Sequence, residues 1–275
     1  MNAPTATRTA DAATALLLRE SNEAIVTLTL NRPQARNSLS EGLLNALSQA
    51  LAEIGADRSV RAVIIAANGP AFCAGHDLKE LTSRRTDPDG GRQYFRHIMK
   101  TCSAMMQQVV NLPQPVIAAV QGPASAAGCQ LVATCDLAVA SSTARFATPG
   151  VDIGLFCSTP MVAVSRNIAR KHAMEMLLTG EMVGADKAAA IGLVNRVVAP
   201  GEECKAATAL AAEIAAKSAY TVKTGKQAFY RQAEMNLAAA YDYASEVMTE
   251  NMMARDAEEG ICAFIDKRHP NWQDC

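Results

Sequence analysis

The stretch PVIAAVQGPASAAGCQLVATCD, from Pro115 to Asp136, decides how the chain is read. Val116 to Val120 is a short continuous apolar run closed by Gln121, Gly122 and Pro123, the pattern of a strand buried on both faces. Ala124, Ser125, Ala126, Ala127 and Gly128 then lead into a helix with almost no side-chain bulk. A helix start leaves its first N–H groups without intrahelical partners and carries the positive end of the helix dipole. Two readings stay open at this point. Either a ligand with negative charge approaches those N–H groups closely, or the small residues serve only tight strand–helix packing.

Working outward, Ala24 to Leu30 alternates apolar and hydroxyl side chains, as a half-buried strand does, and Asn31-Arg32-Pro33 ends it. Ser38 and Glu41 have capping-box spacing, and Leu43, Leu47, Leu51 and Ile54 recur at helical intervals, which predicts a helix to about Ala56. Ala62 to Ala67 reads as an interior strand turned out by Asn68-Gly69-Pro70. Residues 82–93, TSRRTDPDGGRQ, are polar and glycine-rich and are expected to be a mobile loop, a lid candidate, before a helix from Tyr94 to Val110. Beyond the central stretch, Leu137 to Ala140 and Leu193 to Val198 read as strands. Thr159-Pro160 reads as a helix start, and Gly180 and Gly192 as helix ends. From Gly201 the chain is Ala-rich and helical, with methionines suited to a subunit-facing surface. Strands alternating with helices predict an α/β fold with crossover connections. The organisation expected is a loose leader over residues 1–20, an α/β core over 21–200 and a helical region over 201–275.

Composition narrows the functions. With 275 residues, 49% hydrophobic content and a formal net charge of −1, the chain has ample core and neither a nucleic-acid surface nor an acidic-partner surface. No apolar run reaches the roughly 20 residues that span a bilayer. The eight cysteines form no CxxC pair and read as reduced thiols of a cytosolic protein. His76, His97, His172 and His269 lack metal-ligand spacing, so no metal site is expected. The Ala/Thr-rich N-terminus resembles a transit peptide only faintly.

From about Ala24 to His269 the chain resembles the enoyl-CoA hydratase/isomerase (crotonase) family. The resemblance runs through NRPQARNSLS (31–40), AFCAGHDLKE (71–80), the central stretch, ARFATPGVDIGL (144–155), AMEMLLTG (173–180) and AIGLVNRVV (190–198). Within the family it looks most like the enoyl-CoA hydratase domain-containing protein 3 subgroup, through SAAGCQLVATCD, FATPGVDIGLFCSTP and GHDLKEL. The resemblance implies a crotonase-like β/α spiral core, a helical C-terminal trimerisation region, and trimers or hexamers. It also implies an acyl-CoA or enoyl-CoA thioester as ligand, with coenzyme A part of the substrate and no separate cofactor. The compartment expected is the cytoplasm, or the mitochondrial matrix in a eukaryote. By motif position the two backbone N–H groups that bind the thioester oxygen fall on His76, after Ala74 and Gly75, and on Ala127, after Ala126. CoA-contacting positions fall on Ala35, Arg36, Asp77, Leu78, Lys79, Phe264 and Lys267, the last two often reaching a neighbouring subunit. Aimed N–H donors of this kind are worth about 10²–10³ each in rate.

The chain departs from that pattern where family hydratases carry two glutamates. The first falls on Gln130 and the second on Gly150. Neither exchanges a proton near neutral pH, and each such group is worth roughly 10²–10⁴ in rate. Asp152 is a replacement candidate if its segment is extended, because residues 150 and 152 would then share a face; a loop or cap role is the alternative. The His76 ring is a further acid–base candidate. Cys157 and Ser158 read as a buried thiol and a helix-start hydroxyl, and Ser125 is not in a GxSxG elbow. Two functions remain: a thioester enzyme working by enolate stabilisation with a different acid–base group, or a non-catalytic acyl-CoA binding or regulatory protein.

Overall fold

The computed structural model describes residues 15–275. The first 14 residues of the expected leader lie outside the described residues. Its last residues do not form a leader: β1 (Leu17–Asn22) pairs antiparallel with β2 (Ile25–Leu30), Leu18 opposite Thr29. The chain continues through α1 (Glu41–Ala56), β3 (Ala62–Ala67), α2 (Leu78–Ser83), α3 (Arg92–Asn111) and β4 (Val116–Val120). Then come β5 (Ala124–Ser125), α4 (Ala127–Thr134), β6 (Leu137–Ser141), β7 (Arg145–Ala147), α5 (Pro160–Asn167) and α6 (Arg170–Thr179). The last elements are β8 (Val183–Gly184), α7 (Ala185–Ala190), β9 (Arg196–Val198), α8 (Glu203–Ala215), α9 (Ala219–Gln232), α10 (Leu237–Met253) and α11 (Arg255–Ile265).

The main sheet has the order β1-β2-β3-β4-β6-β9, parallel throughout except at β1. Because side chains alternate along a strand, each interior strand feeds two cores. Val63, Ile65, Val116, Ala118 and Val120 face Leu43, Leu47 and Leu51 of α1 and Cys102, Met105 and Val109 of α3. Ala62, Ile64, Ala66, Ile117 and Val139 face Ala207, Leu210 and Ala211 of α8. Burying each large side chain stabilises the fold by about 1.5–3 kcal/mol. Since α8 covers one sheet face, the core extends past residue 201, and the separate helical region begins at α9. Neither α9 nor α10 buries a residue in this chain. A second, small sheet, β5-β7-β8, lies across the start of α4.

Two local expectations change. The cap of α1 is Ser40, whose Oγ accepts from Leu43 N at 3.3 Å. Ser38 instead donates its hydroxyl to Asp77 at 3.3 Å, and Glu41 turns to His97 at 2.8 Å, so no capping box closes. The stretch 82–93 is largely structured: it begins inside α2, continues as a 3₁₀ turn over Arg84–Thr86 and enters α3 at Arg92. The Arg84 and Arg85 guanidinium groups lie 4.6 and 5.5 Å from the Tyr94 and Phe95 ring centres, contacts that hold the turn against α3.

Candidate active site

Two segments meet in the middle of the molecule, 71–77 and 122–128, and glycines let them touch. A Cβ placed on Gly122 would lie 2.6 Å from the Pro70 carbonyl oxygen, and one on Gly128 only 2.1 Å from that of Cys73. Both glycines are therefore demanded by packing. Ser125 N donates to Cys73 O at 2.8 Å, and Ala126 N to Ala147 O at 2.9 Å, so the start of α4 is clamped between the Cys73 segment and the end of β7.

This clamp sets the direction of two N–H groups. Leu39 N donates to Gly75 O at 2.7 Å and Asp77 N to Leu39 O at 3.3 Å. In a parallel bridge that pattern turns the N–H and C=O of the residue between, His76, the opposite way. Gly75, at φ +95°, presses on the start of α4: a Cβ there would meet Ala126 Cβ at 3.0 Å, Ser125 O at 3.1 Å and Ala127 N at 3.4 Å. The N–H of His76, bonded to Gly75, and that of Ala127 thus stand side by side. Neither donates to another group among the described residues. Ala126 adopts φ +49°, ψ −116°, a region an L residue rarely visits, which costs about 1–3 kcal/mol. That strained peptide leaves Ala127 as the first helical residue, its N–H outside the helix ladder. Close packing thus explains Gly128, and the unpartnered N–H of Ala127 is where the approach of a ligand would fall.

Other expected contact residues gather nearby in part. Ala74 N donates to Arg36 O at 3.0 Å, which brings Ala35 and exposed Arg36 beside Ala74–Gly75. Asn37, fully buried at φ +53°, fixes that loop by donating to Asn68 O and Ala71 O, both at 2.8 Å. Asp77 is a structural cap: it accepts from Lys79 N and Glu80 N and pairs with Arg32 at 3.0 Å. Partial burial pushes its carboxyl upward, but Arg32 and the two N–H groups outweigh this and hold it below the usual range. Leu78 and Lys79 are exposed beside it. Phe264 and Lys267 stand at the end of α11, also exposed, and this helix packs chiefly on α10; the single chain does not bring them to the two N–H groups.

Gln130 is one turn along α4, 4% exposed, and its Oε1 has no hydrogen-bond partner. It borders a cleft of about 890 Å³ between α3, α5 and α9, with Met106, Val162 and Tyr230 among its walls. Gly150 is buried, and a Cβ on it would meet Leu155 O at 2.8 Å and Cys157 Sγ at 3.0 Å. The condition placed on Asp152 is not met. Pro149–Ile153 is a 3₁₀ helix, so residues 150 and 152 do not share a face. Exposed Asp152 points at the end of α6, its Oδ2 2.9 Å from where a Gly180 Cβ would be. Cys157 is buried, which pushes its thiol up, partly offset by the Gly150 backbone; Ser158 is exposed and bonds to Phe156 O.

Besides the His76 ring already considered, the structure shows two groups that the sequence did not single out. Thr148 Oγ1 is buried without a partner and follows directly on the Ala147 that clamps Ala126, while Tyr94 OH lies buried beside the Glu80 and Glu41 carboxylates and the His76 ring beside the Leu39 backbone. Burial pushes the His76 ring below its usual value, with the Leu39 backbone and the Glu80 charge opposing. An orphaned polar atom is a tertiary property with no periodic signature in sequence. Among the described residues no group of three or more His, Cys, Asp or Glu is placed to hold a metal ion, and no helix is long and apolar enough to cross a membrane.

Comparison with known proteins agrees with this architecture. The sequence model described as enoyl-CoA hydratase/isomerase matches residues 20–275. The chain belongs to the enoyl-CoA hydratase/isomerase family. Within it, the match is to the enoyl-CoA hydratase domain-containing protein 3 subgroup: the rat mitochondrial protein of that name is 45% identical over 250 residues, 91% of this chain and 82% of its own length. The crystal structure of the human subgroup member is 43% identical, with a TM-score of 0.89 over 94% of this chain and 100% of its own. That of an enoyl-CoA hydratase from Mycobacterium smegmatis is 53% identical, with a TM-score of 0.90 over 94% and 99%. The expected crotonase-like α/β core with a helical C-terminal region is the fold observed.

Proposed function

We propose that the chain binds an acyl-CoA or enoyl-CoA thioester, its carbonyl oxygen held between the N–H groups of His76 and Ala127, and stabilises the enolate formed there. The observation that carries this reading is the pair of adjacent, unpartnered N–H groups, one at the positive end of α4. Arg36 and Lys79 are exposed beside the pair and suit CoA phosphates. With Gln130 and Gly150 in the places of the glutamates, ordinary hydratase turnover is not expected. Coenzyme A arrives as part of the substrate, and no separate cofactor is invoked.

The exposed apolar side chains of the C-terminal helices, among them Phe229, Leu237, Tyr241, Met248 and Phe264, support assembly as a trimer or hexamer. Assembly would also give Phe264 and Lys267 a route to a neighbour's CoA. The mitochondrial names of the animal relatives favour the mitochondrial option for this chain. A second reading, a protein that binds acyl-CoA without turning it over, is favoured by the filled space at residue 150.

Calorimetry with butyryl-CoA and with S-butyl-CoA, the thioether lacking the carbonyl oxygen, tests the oxygen site directly. Two net hydrogen bonds at about 0.5–1.5 kcal/mol each predict roughly 5- to 150-fold weaker binding of the thioether. Equal affinities would remove the oxyanion role. Crotonyl-CoA turnover on the same preparation separates the enzyme from the binding protein.

A further inference from the structure

The cleft between α3, α5 and α9 holds about 890 Å³, within the roughly 300–1,000 Å³ of small-molecule sites. Met106, Val110, Ala133 and Ala163 give it apolar walls. It belongs to the single chain, because Lys226 and Tyr230 of α9 both donate to Asp136, at 2.7 and 2.9 Å, and hold that helix in place. Most of the polar side chains on its walls are already committed. Thr134 donates to Gln130 O at 2.7 Å, Asn167 to Ala133 O and Ala163 O at 2.7 and 2.8 Å, and Arg166 to Glu234 at 3.1 Å.

Gln130 is the exception. It is only 4% exposed and borders the cleft, yet its Oε1 has no partner and its Nε2 donates no hydrogen bond among the described residues. Unlike Oε1, Nε2 is not sealed off, which makes it the edge of the amide open to the cleft. A buried carboxamide left unpaired is costly, and a ligand group that pairs with it recovers that cost. Gln130 lies three residues past Ala127, about 4.5 Å along α4 at about 1.5 Å per residue. Helical side chains lean toward the N-terminus of their helix. The amide therefore stands between the Ala127 N–H and the apolar body of the cleft.

We propose that the cleft takes the hydrocarbon chain of the thioester and that Gln130 selects chains carrying a hydroxyl near the carbonyl end. This rests on the thioester reading above and narrows its substrate class to hydroxyacyl thioesters. A chain whose carbonyl oxygen sits between His76 N and Ala127 N passes the amide within its first few carbons. A hydroxyl both donates and accepts, so it pairs with Nε2 or, after a half-turn of the amide, with Oε1. A plain chain pairs with neither. A carboxylate fits less well, since both arginines of the cleft are engaged, Arg166 by Glu234 and Arg231 over the Tyr243 ring at 4.7 Å.

The test is calorimetry of the full chain with butyryl-CoA and with each enantiomer of 3-hydroxybutyryl-CoA. One enantiomer is expected to bind about tenfold more tightly than butyryl-CoA, the worth of one buried hydrogen bond gained. Gln130→Leu, of similar volume and without an amide, should bind the plain and hydroxylated esters within about twofold of each other; binding of either also shows that the variant is folded. Val162→Trp sets a large ring on the cleft wall and should weaken decanoyl-CoA about tenfold while butyryl-CoA stays within about threefold. Equal affinities of the three short esters for the wild type would overturn the selection by Gln130 and leave the thioester reading intact. A hydroxyl preference that survives in Gln130→Leu would overturn it as well. Decanoyl-CoA binding untouched by Val162→Trp would take the chain out of the cleft. If the wild type binds none of these esters, the thioester reading falls and this inference with it.

Discussion

Replacing Gly128 by alanine should damage fold and site together. The new Cβ would sit 2.1 Å from Cys73 O and 2.8 Å from both Cys73 C and Cys73 Cβ. Two of these atoms are backbone, so no side chain can swing away. α4 is buried along its whole length, so α4 and the 73–75 segment must part by about 1 Å. Overpacking of this kind costs about 1–3 kcal/mol. The separation also breaks the 2.8 Å bond from Ser125 N to Cys73 O, whose buried carbonyl then lacks a partner, adding about 1–3 kcal/mol. Alanine's better helix propensity returns only about 1 kcal/mol. The expected net loss is about 3 kcal/mol, read as a lowered urea midpoint at fixed protein concentration. His76 N would shift relative to Ala127 N by a similar distance, and a misplacement of about 1 Å at a site can cost 10²-fold; butyryl-CoA affinity should fall with it. Ala126→Gly makes the opposite change two residues earlier. It releases φ +49° strain of about 1–3 kcal/mol against a glycine entropy cost of about 0.5–1 kcal/mol, for a gain of about 1 kcal/mol. A Gly128→Ala protein within 0.5 kcal/mol of the parent and equally able to bind would refute the close-approach reasoning.

Other perturbations probe separate parts of the molecule. Asp136 accepts from Val116 N and Lys226 Nζ, both at 2.7 Å, and from Tyr230 OH at 2.9 Å, tying α9 to the ends of β4 and β6. Asp136→Asn takes away the only carboxylate on the Lys226 ammonium, whose side chain is sheltered and keeps just the Val109 and Gln114 carbonyls, and should cost about 3 kcal/mol, with faster proteolysis in α9; unchanged urea stability would sink this account. Gly150→Glu should not confer crotonyl-CoA hydration, because its Cβ meets Leu155 O and Cys157 first; it should lower stability by about 1–3 kcal/mol, and hydration by a stable variant would show the space to be open. Because the folded Asp77 carboxyl titrates below its unfolded value of 3.8, its contribution is present above that pH and is lost as the pH falls further. Arg32→Met raises the folded value, so that contribution shrinks and acid unfolding should begin at higher pH, as followed by circular dichroism; an unmoved acid midpoint would argue against the pair.

What the sequence discloses depends on how local the cause is. β2, β3, β4 and α1 are legible because one residue's neighbours along the chain settle its face. β5, β7 and β8 are two or three residues long, too short to carry a period, and exist because Ala124, Phe146 and Val183 meet across the chain. Ser38 and Ser40 stand equally well to cap α1 on local spacing, and the choice falls to Asp77, 39 residues beyond Ser38, which takes the Ser38 hydroxyl. The free N–H groups of His76 and Ala127 were legible as a pair only through family motifs, since nothing in AFCAGHD alone shows which N–H turns away from Leu39. The unpaired state of Thr148 depends on what surrounds it in three dimensions, and no run of residues encodes it.

The two glycines that matter most show why residue identity alone misleads at the site. In sequence Gly128 reads equally as room for a ligand or as tight packing, and Gly150 as the place where the family resemblance expects a glutamate. In the structure both are contacts. Gly128 is pressed on Cys73, and the space beside Gly150 is taken by Leu155 O and the Cys157 thiol. Position 150 therefore has no room for a larger side chain without movement of Leu155 or Cys157. Strain at Ala126, beside the unpartnered N–H groups of His76 and Ala127, is the kind of local cost that collects at functional sites rather than in plain packing.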